Sequence, residues 1–168
     1  MEGEKVLEGA EAEIQQIGVV VKDLDKTVEF LTGLGFGPFT IRTATHPAAK
    51  VGGNKRFYEV RLALSQQGPV QLELIEYRKG ETIQKDFLDE KGEGLHHILF
   101  RVKNLEKTLE KFKEKGIEPL QEDRFVGGGG IAYMGTDKIG GIIMEVAQRP
   151  ADFDPDKGLQ YQTSRDDD

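Results

Sequence analysis

The chain of 168 residues contains no cysteine and no tryptophan, and it has three histidines. Without cysteine there is no disulfide framework, no thiolate metal site and no thiol nucleophile, so any metal must be held by oxygen and imidazole nitrogen. No stretch approaches the roughly 20 consecutive apolar residues of a membrane span. The opening MEGEKVLEGAEAE lacks the apolar centre of a signal peptide, so a cytoplasmic protein is expected. Acidic residues also outnumber basic ones. With 23 Lys and Arg against 30 Asp and Glu the formal charge is −7, which argues against a broad nucleic-acid surface. One local basic cluster, KVGGNKR from Lys50 to Arg56, reads as a solvated loop or as a feature that steers a phosphorylated substrate.

What is present is a duplication. QIGVVVKDLDKTVEFLTGLGFGPF, from Gln16 to Phe39, aligns without a gap with HILFRVKNLEKTLEKFKEKGIEPL, from His97 to Leu120, at an offset of 81 residues. GPVQLELIEY around Glu73 is echoed by GGIIMEVAQ around Glu145 at an offset of 72, which implies a longer loop in the first copy. Repeats of this size are supersecondary units that complete their core against each other. In each copy a β-branched run is followed by apolar residues at helical spacing: Leu24, Val28 and Leu31, then Leu105, Leu109 and Phe112. Asp23 and Asn104 are placed to cap those helices. Three strand-like runs follow each helix: FTIRTA, RFYEVRLALS and VQLELIEY, then IEPLQEDRF, GIAYMGT and GIIMEVAQ.

The expected fold is therefore α+β, with two βαβββ modules forming one curved, mixed but mostly antiparallel sheet around a cleft, helices outside. The domain spans residues 13–148, with module one at 13–78, a connecting helix within 80–92 that turns Ile83, Phe87 and Leu88 inward, and module two at 94–148. Residues 1–12 form a flexible extension. Residues 149–168 form an acidic, largely flexible tail.

Four polar residues stand at matched places in otherwise apolar strands: Gln16 with His97, and Glu73 with Glu145. A buried carboxylate is costly unless it is paired or coordinates a cation. Plain alternation with these side chains facing solvent accounts for any one of them, but the twofold repeat brings all four toward one cleft. His96 is the alternative ligand to His97, and strand alternation turns it to the opposite face, as a packing residue.

These segments resemble the vicinal oxygen chelate superfamily, which includes glyoxalase I, methylmalonyl-CoA epimerases, bleomycin-resistance proteins and extradiol dioxygenases. The resemblance covers residues 13–148 and is nearest to the epimerases: QIGVVVKDLDKTVEFL is similar to their opening strand and helix, KGEGLHHILFRV to their second module's start, and GGIIMEV to their closing strand. It implies a divalent metal (Co, Mn, Ni, Zn or Mg) on Gln16, Glu73, His97 and Glu145, a small-molecule substrate that could be an acyl-CoA, and a homodimer. It also implies proton abstraction next to a thioester carbonyl through a metal-bound enolate, with Glu145 as the base. Two departures stand out. Gln16 replaces the epimerases' usual histidine, giving a donor set more like that of glyoxalase I. Gly37 to Tyr58 contains no Asp or Glu where those enzymes carry a second glutamate. His46 is the candidate second base in that region, against a merely solvated loop histidine; Glu59 is the other candidate, on a strand. The alternatives are a glyoxalase-I-like lyase acting on a hemithioacetal and a non-catalytic, ligand-sequestering protein. A dioxygenase is disfavoured, because only His97 stands at a histidine ligand position. The run VGGGG reads as a mobile or tight turn, since no phosphate-loop lysine follows it.

Overall fold

The computed structural model describes residues 4–138 and 140–164. Each copy of the repeat forms the same unit. In the first, β1 (Ile14–Val21) leads into α1 (Leu24–Gly33), followed by β2 (Thr40–Val51), β3 (Asn54–Gln67) and β4 (Val70–Gly80). A short helix, α2 (Ile83–Lys91), connects to β5 (Gly94–Arg101), α3 (Leu105–Glu114), β6 (Pro119–Arg124), β7 (Gly130–Met134) and β8 (Ile143–Gln148). The duplication extends to individual hydrogen bonds. Asp23 Oδ1 accepts from the Lys26 amide and Asn104 Oδ1 from the Lys107 amide, both at 3.0 Å. Thr27 and Thr108 each donate to the carbonyl of their cap residue. Each cap satisfies one of the amides that a helix start leaves without an internal partner.

The strands close in the order β1-β4-β3-β2-β6-β7-β8-β5. The β1–β4 and β5–β8 pairs are parallel, and all the others are antiparallel. The result is the expected α+β architecture, closed into a cup. Two-residue alternation divides each strand between the inside of the cup and the helix-covered outside. On β7, Ile131 and Tyr133 point inward, while Ala132 and Met134 pack with Phe100, Val146 and the Leu105 and Phe112 side chains of α3. Leu24 of α1 covers Ala63 and Leu74 in the corresponding way. Helix α2 closes one end, with Phe87 and Leu88 against Val20, Tyr58, Val60 and Ile75.

Four expectations need correction. Residues 1–12, expected as a flexible extension, are docked from residue 4 onward: Val6 and Leu7 pack against the cluster that contains Phe100 and Phe112, and Glu11 accepts from the Lys103 amide at 2.8 Å. The longer loop of the first copy is instead longer strand: β2 and β3 have 12 and 14 residues, against 6 and 5 in β6 and β7. The KVGGNKR segment is not an extended loop. Val51 pairs with Asn54 across a two-residue turn, Gly52–Gly53, whose φ values of +55° and +82° suit glycine. Part of the segment expected to trail as a flexible tail is docked. Tyr161 bridges to Phe125, the Val126 amide donates to the Gln160 carbonyl at 2.8 Å, and the Gln162 amide donates to the Arg124 carbonyl at 2.9 Å. The attachment lies beside the weakest seam of the cup, where β2 and β6 pair only through Lys50–Glu122 and Val51–Gln121. Tyr161 gives this stretch the apolar anchor that its charged composition conceals.

Candidate metal centre

Glu73 on β4 and His97 on β5 both pair with Gly18 of β1, which lies between them. Glu145 on β8 stands beside Leu99, two residues along β5 and on the same face as His97. Glu73, His97 and Glu145 are all buried, and one ligand atom from each lies within 4.8 Å of the others. His97 Nε2 is 2.9 Å from Glu145 Oε2 and 3.5 Å from Glu73 Oε2. Neither His97 Nε2 nor Glu145 Oε2 has a hydrogen-bond partner of proper geometry. Lone-pair atoms that converge in a dry site without bonding each other suit a shared cation, since bonds of about 2.0–2.3 Å to one ion hold their donors at such spacings. The residues therefore fit a divalent ion.

The electrostatics agree. Burial raises the Glu145 pKa above the usual carboxylate range, against the lowering effect of His97. Burial opposes charge on His97, but Glu145 and Glu73 outweigh it and push that imidazole up to about 9.

Gln16, the fourth expected ligand, lines the same cavity. Its Nε2 donates to Gln71 Oε1 at 2.7 Å, which keeps its own amide oxygen available as a donor to an ion. His96 does not face away from His97 as alternation predicts. Between Gly18 and Val19 the pairing on β5 steps from His97 to Leu95, so His96 is the extra residue of a bulge. Its Nδ1 sits 3.0 Å from His97 Nδ1. Burial first and His97 second hold His96 down to about 3, so it is neutral and accepts from His97 Nδ1–H. That leaves Nε2 as the ligating nitrogen, the support that metal-binding imidazoles commonly have.

His46 is on strand β2, not in a solvated loop. It is 3 % exposed, and its Nδ1 donates to Asp123 Oδ2 on β6 at 2.7 Å. The ring stacks on Tyr58, with centroids 4.0 Å apart, and meets Tyr161 at 3.7 Å. It lines the same cavity as Glu73 and Glu145. Burial lowers its pKa, opposed by Asp123, so the ring is neutral near pH 7. Glu59 pairs outside the cavity with Thr45 and Lys79. Gly18 and Asp123 were not singled out by sequence reasoning. The signals were a glycine within a β-branched strand and an acid at an inward position of β6.

A buried Glu–His–Glu cluster able to hold a metal ion, built from the paired strands of two βαβββ modules, defines a class of protein. The match to a family model makes the assignment: residues 15–134 fit the Glyoxalase/Bleomycin resistance protein/Dioxygenase superfamily, and the chain belongs to it. A Bacillus subtilis (strain 168) relative, the uncharacterized protein YqjC, is 32% identical over 98 residues, covering 56% of this chain and 69% of that protein. Among solved structures, a methylmalonyl-CoA epimerase in complex with methylmalonyl-CoA and NH4+ superposes with a TM-score of 0.62 at 26% identity, over 84% of this chain and 97% of that one. A single-substitution variant of the Streptomyces coelicolor methylmalonyl-CoA epimerase, in complex with 2-nitronate-propionyl-CoA, gives 0.63 at 26% identity over 85% and 98%.

Proposed function

We propose that the protein is a metal-dependent isomerase of the epimerase type, which removes and returns a proton on the carbon next to a carbonyl. The first substrate to test is a methylmalonyl thioester. The observation that carries this reading is the convergence of Glu73, His97 and Glu145 inside the cup, supported by the likeness to epimerases over most of both chains. When bound, a divalent cation supplies Lewis-acid stabilisation for the charge that develops on the substrate oxygens.

Glu145 is the base on one face. Burial raises its pKa, which brings a carboxylate nearer to the acidity of the proton it must hold. His46 faces the same cavity from the other module and is the second base, taking the α-proton at Nε2 in one direction of the epimerisation and returning it in the other, while protonated Glu145 supplies the proton on its own face. Asp123 fixes the tautomer by accepting from Nδ1–H, which leaves Nε2 unprotonated and able to take a proton. This pair takes the place of the carboxylate missing from Gly37 to Tyr58. The apolar walls from Val60, Leu62, Leu99 and Ile131 keep competing water from the carbanion.

The donor set Gln16, Glu73, His97 and Glu145 supports a second reading, glyoxalase-type isomerisation of a hemithioacetal, which begins with the same proton abstraction. One experiment separates the two. Methylmalonyl-CoA is followed by NMR in heavy water with metal-stripped protein, then after Co²⁺ or Mn²⁺ is added, with a hemithioacetal in a parallel sample. Metal-dependent deuterium uptake at the α-carbon with inversion supports the epimerase. Turnover of the hemithioacetal alone moves the protein to the second reading. Undiminished exchange in Glu145→Gln removes Glu145 as the base.

A further inference from the structure

Among the described residues of this acidic chain, the arginines fall into two groups. Arg56 pairs with Glu81, Arg61 with Asp25 and Glu76, Arg78 with Glu76, and Arg124 with Glu106. Arg42, Arg101 and Arg149 have no carboxylate within ion-pair distance among the described residues. These are the three that line the cavity holding Glu73 and Glu145. In a chain with a formal charge of −7, three guanidinium groups at one cavity without an ion-pair partner keep their hydrogen-bonding edges open to an anionic ligand.

Their positions follow from strand geometry. Arg101 lies four residues beyond His97 on β5, and Arg149 four beyond Glu145 just past β8, so both keep the inward side of the alternation. At about 3.3 Å per residue, their backbones stand about 13 Å from those of the metal-site residues, at the rim. Arg101 pairs with Ala147 across β8, which makes Arg149 its near neighbour. Burial first and the Arg149 charge second lower the Arg101 pKa to about 10, against the raising effect of Glu145, as expected of two neighbouring cations at a half-buried site. The Arg149 guanidinium rests 4.3 Å above the Phe153 ring, an arrangement that holds its plane while leaving the N–H edge free. Arg42 closes the third side, with its guanidinium against the Gly158 turn of the docked tail.

We propose that Arg42, Arg101 and Arg149 bind an anionic group, a carboxylate or a phosphate, at the far end of a small acidic substrate whose other end is presented to Glu73, His97 and Glu145. The guanidinium fork matches either group bidentately. The cavity of about 240 Å³ is small beside the roughly 300–1,000 Å³ of drug-sized pockets, so the part enclosed is a compact acid. This assignment rests on the reading of the cup as a substrate site, but its test is independent of the metal.

The test is calorimetric titration of the full-length, Mn²⁺-loaded protein with succinate and with inorganic phosphate, repeated on metal-free protein. Saturable binding that weakens about tenfold in Arg101→Gln and again in Arg149→Gln, and is unchanged in Arg56→Gln, supports the assignment. The tighter of the two probes identifies the group as carboxylate or phosphate. Binding of neither probe, or equal binding by the variants, overturns it. Should Mn²⁺ fail to bind while arginine-dependent succinate binding persists, the metal reading falls and this one stands. A second measurement needs no variant. Phenylglyoxal modification of the wild-type protein, mapped by mass spectrometry, is expected to show Arg42, Arg101 and Arg149 protected by the anion and Arg56 unaffected; equal labelling with and without anion contradicts the proposal.

Discussion

The imidazole of His97 occupies the space that a side chain at position 18 would need: a Cβ built on Gly18 comes 2.0 Å from His97 Cε1. Gly18 pairs with both Glu73 and His97, so this absent side chain lets the ring lie over β1 between its two carboxylates. In Gly18→Ala the ring must leave that position. The expected result is a loss of Mn²⁺ affinity of at least 10–100-fold and a destabilisation of about 1–3 kcal/mol from overpacking, measured by metal titration and urea unfolding. Metal affinity equal to wild type would show that the ring's position is not what holds the site together.

The His46–Asp123 hydrogen bond joins the two modules at the seam between β2 and β6. If His46 is the second base, His46→Gln keeps metal binding and α-proton exchange in heavy water but loses inversion by about 10²–10⁴-fold. Asp123→Asn, which disturbs the tautomer without removing the ring, falls between. Inversion at the wild-type rate in His46→Gln would return the role to another group.

The same histidine shapes the dependence of stability on pH. Burial lowers its pKa below the ordinary 6.5, with Asp123 and the charge of Glu73 opposing and Tyr58 and Tyr161 covering the ring. The unfolded chain therefore binds the proton more readily, and the contribution of neutral His46 is complete above about pH 6.5 and diminishes as pH falls below it. Its slope is limited to about 1.4 kcal/mol per pH unit. Urea midpoints at pH 7.5 and 5.5 are expected to fall further in the wild type than in His46→Gln. Equal slopes would mean that His46 is as easily protonated folded as unfolded.

Tyr161 anchors the docked tail against His46 and Phe125. Tyr161→Ala is expected to destabilise the protein by about 2–3 kcal/mol, below the cost of a fully buried aromatic because the residue keeps some exposure. It is also expected to speed proteolysis after Lys157. A change within 0.5 kcal/mol would indicate that the tail contributes nothing to the closed cup.

Much of this arrangement was legible in the residues because the chain states it twice. The repeated strand–helix pattern carried the modules and their caps. The matched positions of Gln16, His97, Glu73 and Glu145 drew attention to one cleft, in which the structure gathers the last three. The remainder depended on interactions that periodicity does not encode. His96 turns inward because of a bulge, which alternation cannot anticipate. His46 sits among loop-like residues, with Pro47 beside it, yet a bulge between His46 and Ala49 lets β2 continue past the proline. Asp123 and Tyr161 acquire meaning only when distant segments meet at His46.

The most direct test is a Mn²⁺ titration of the metal-stripped protein, read by electron paramagnetic resonance beside His97→Gln and Glu73→Gln. The predicted result is one tightly bound ion per chain in the wild type, weakened by at least 100-fold in each variant while the far-ultraviolet circular dichroism is unchanged. Absence of stoichiometric binding in the wild type, or equal binding in the folded variants, would contradict the assignment of Glu73, His97 and Glu145 as a metal centre.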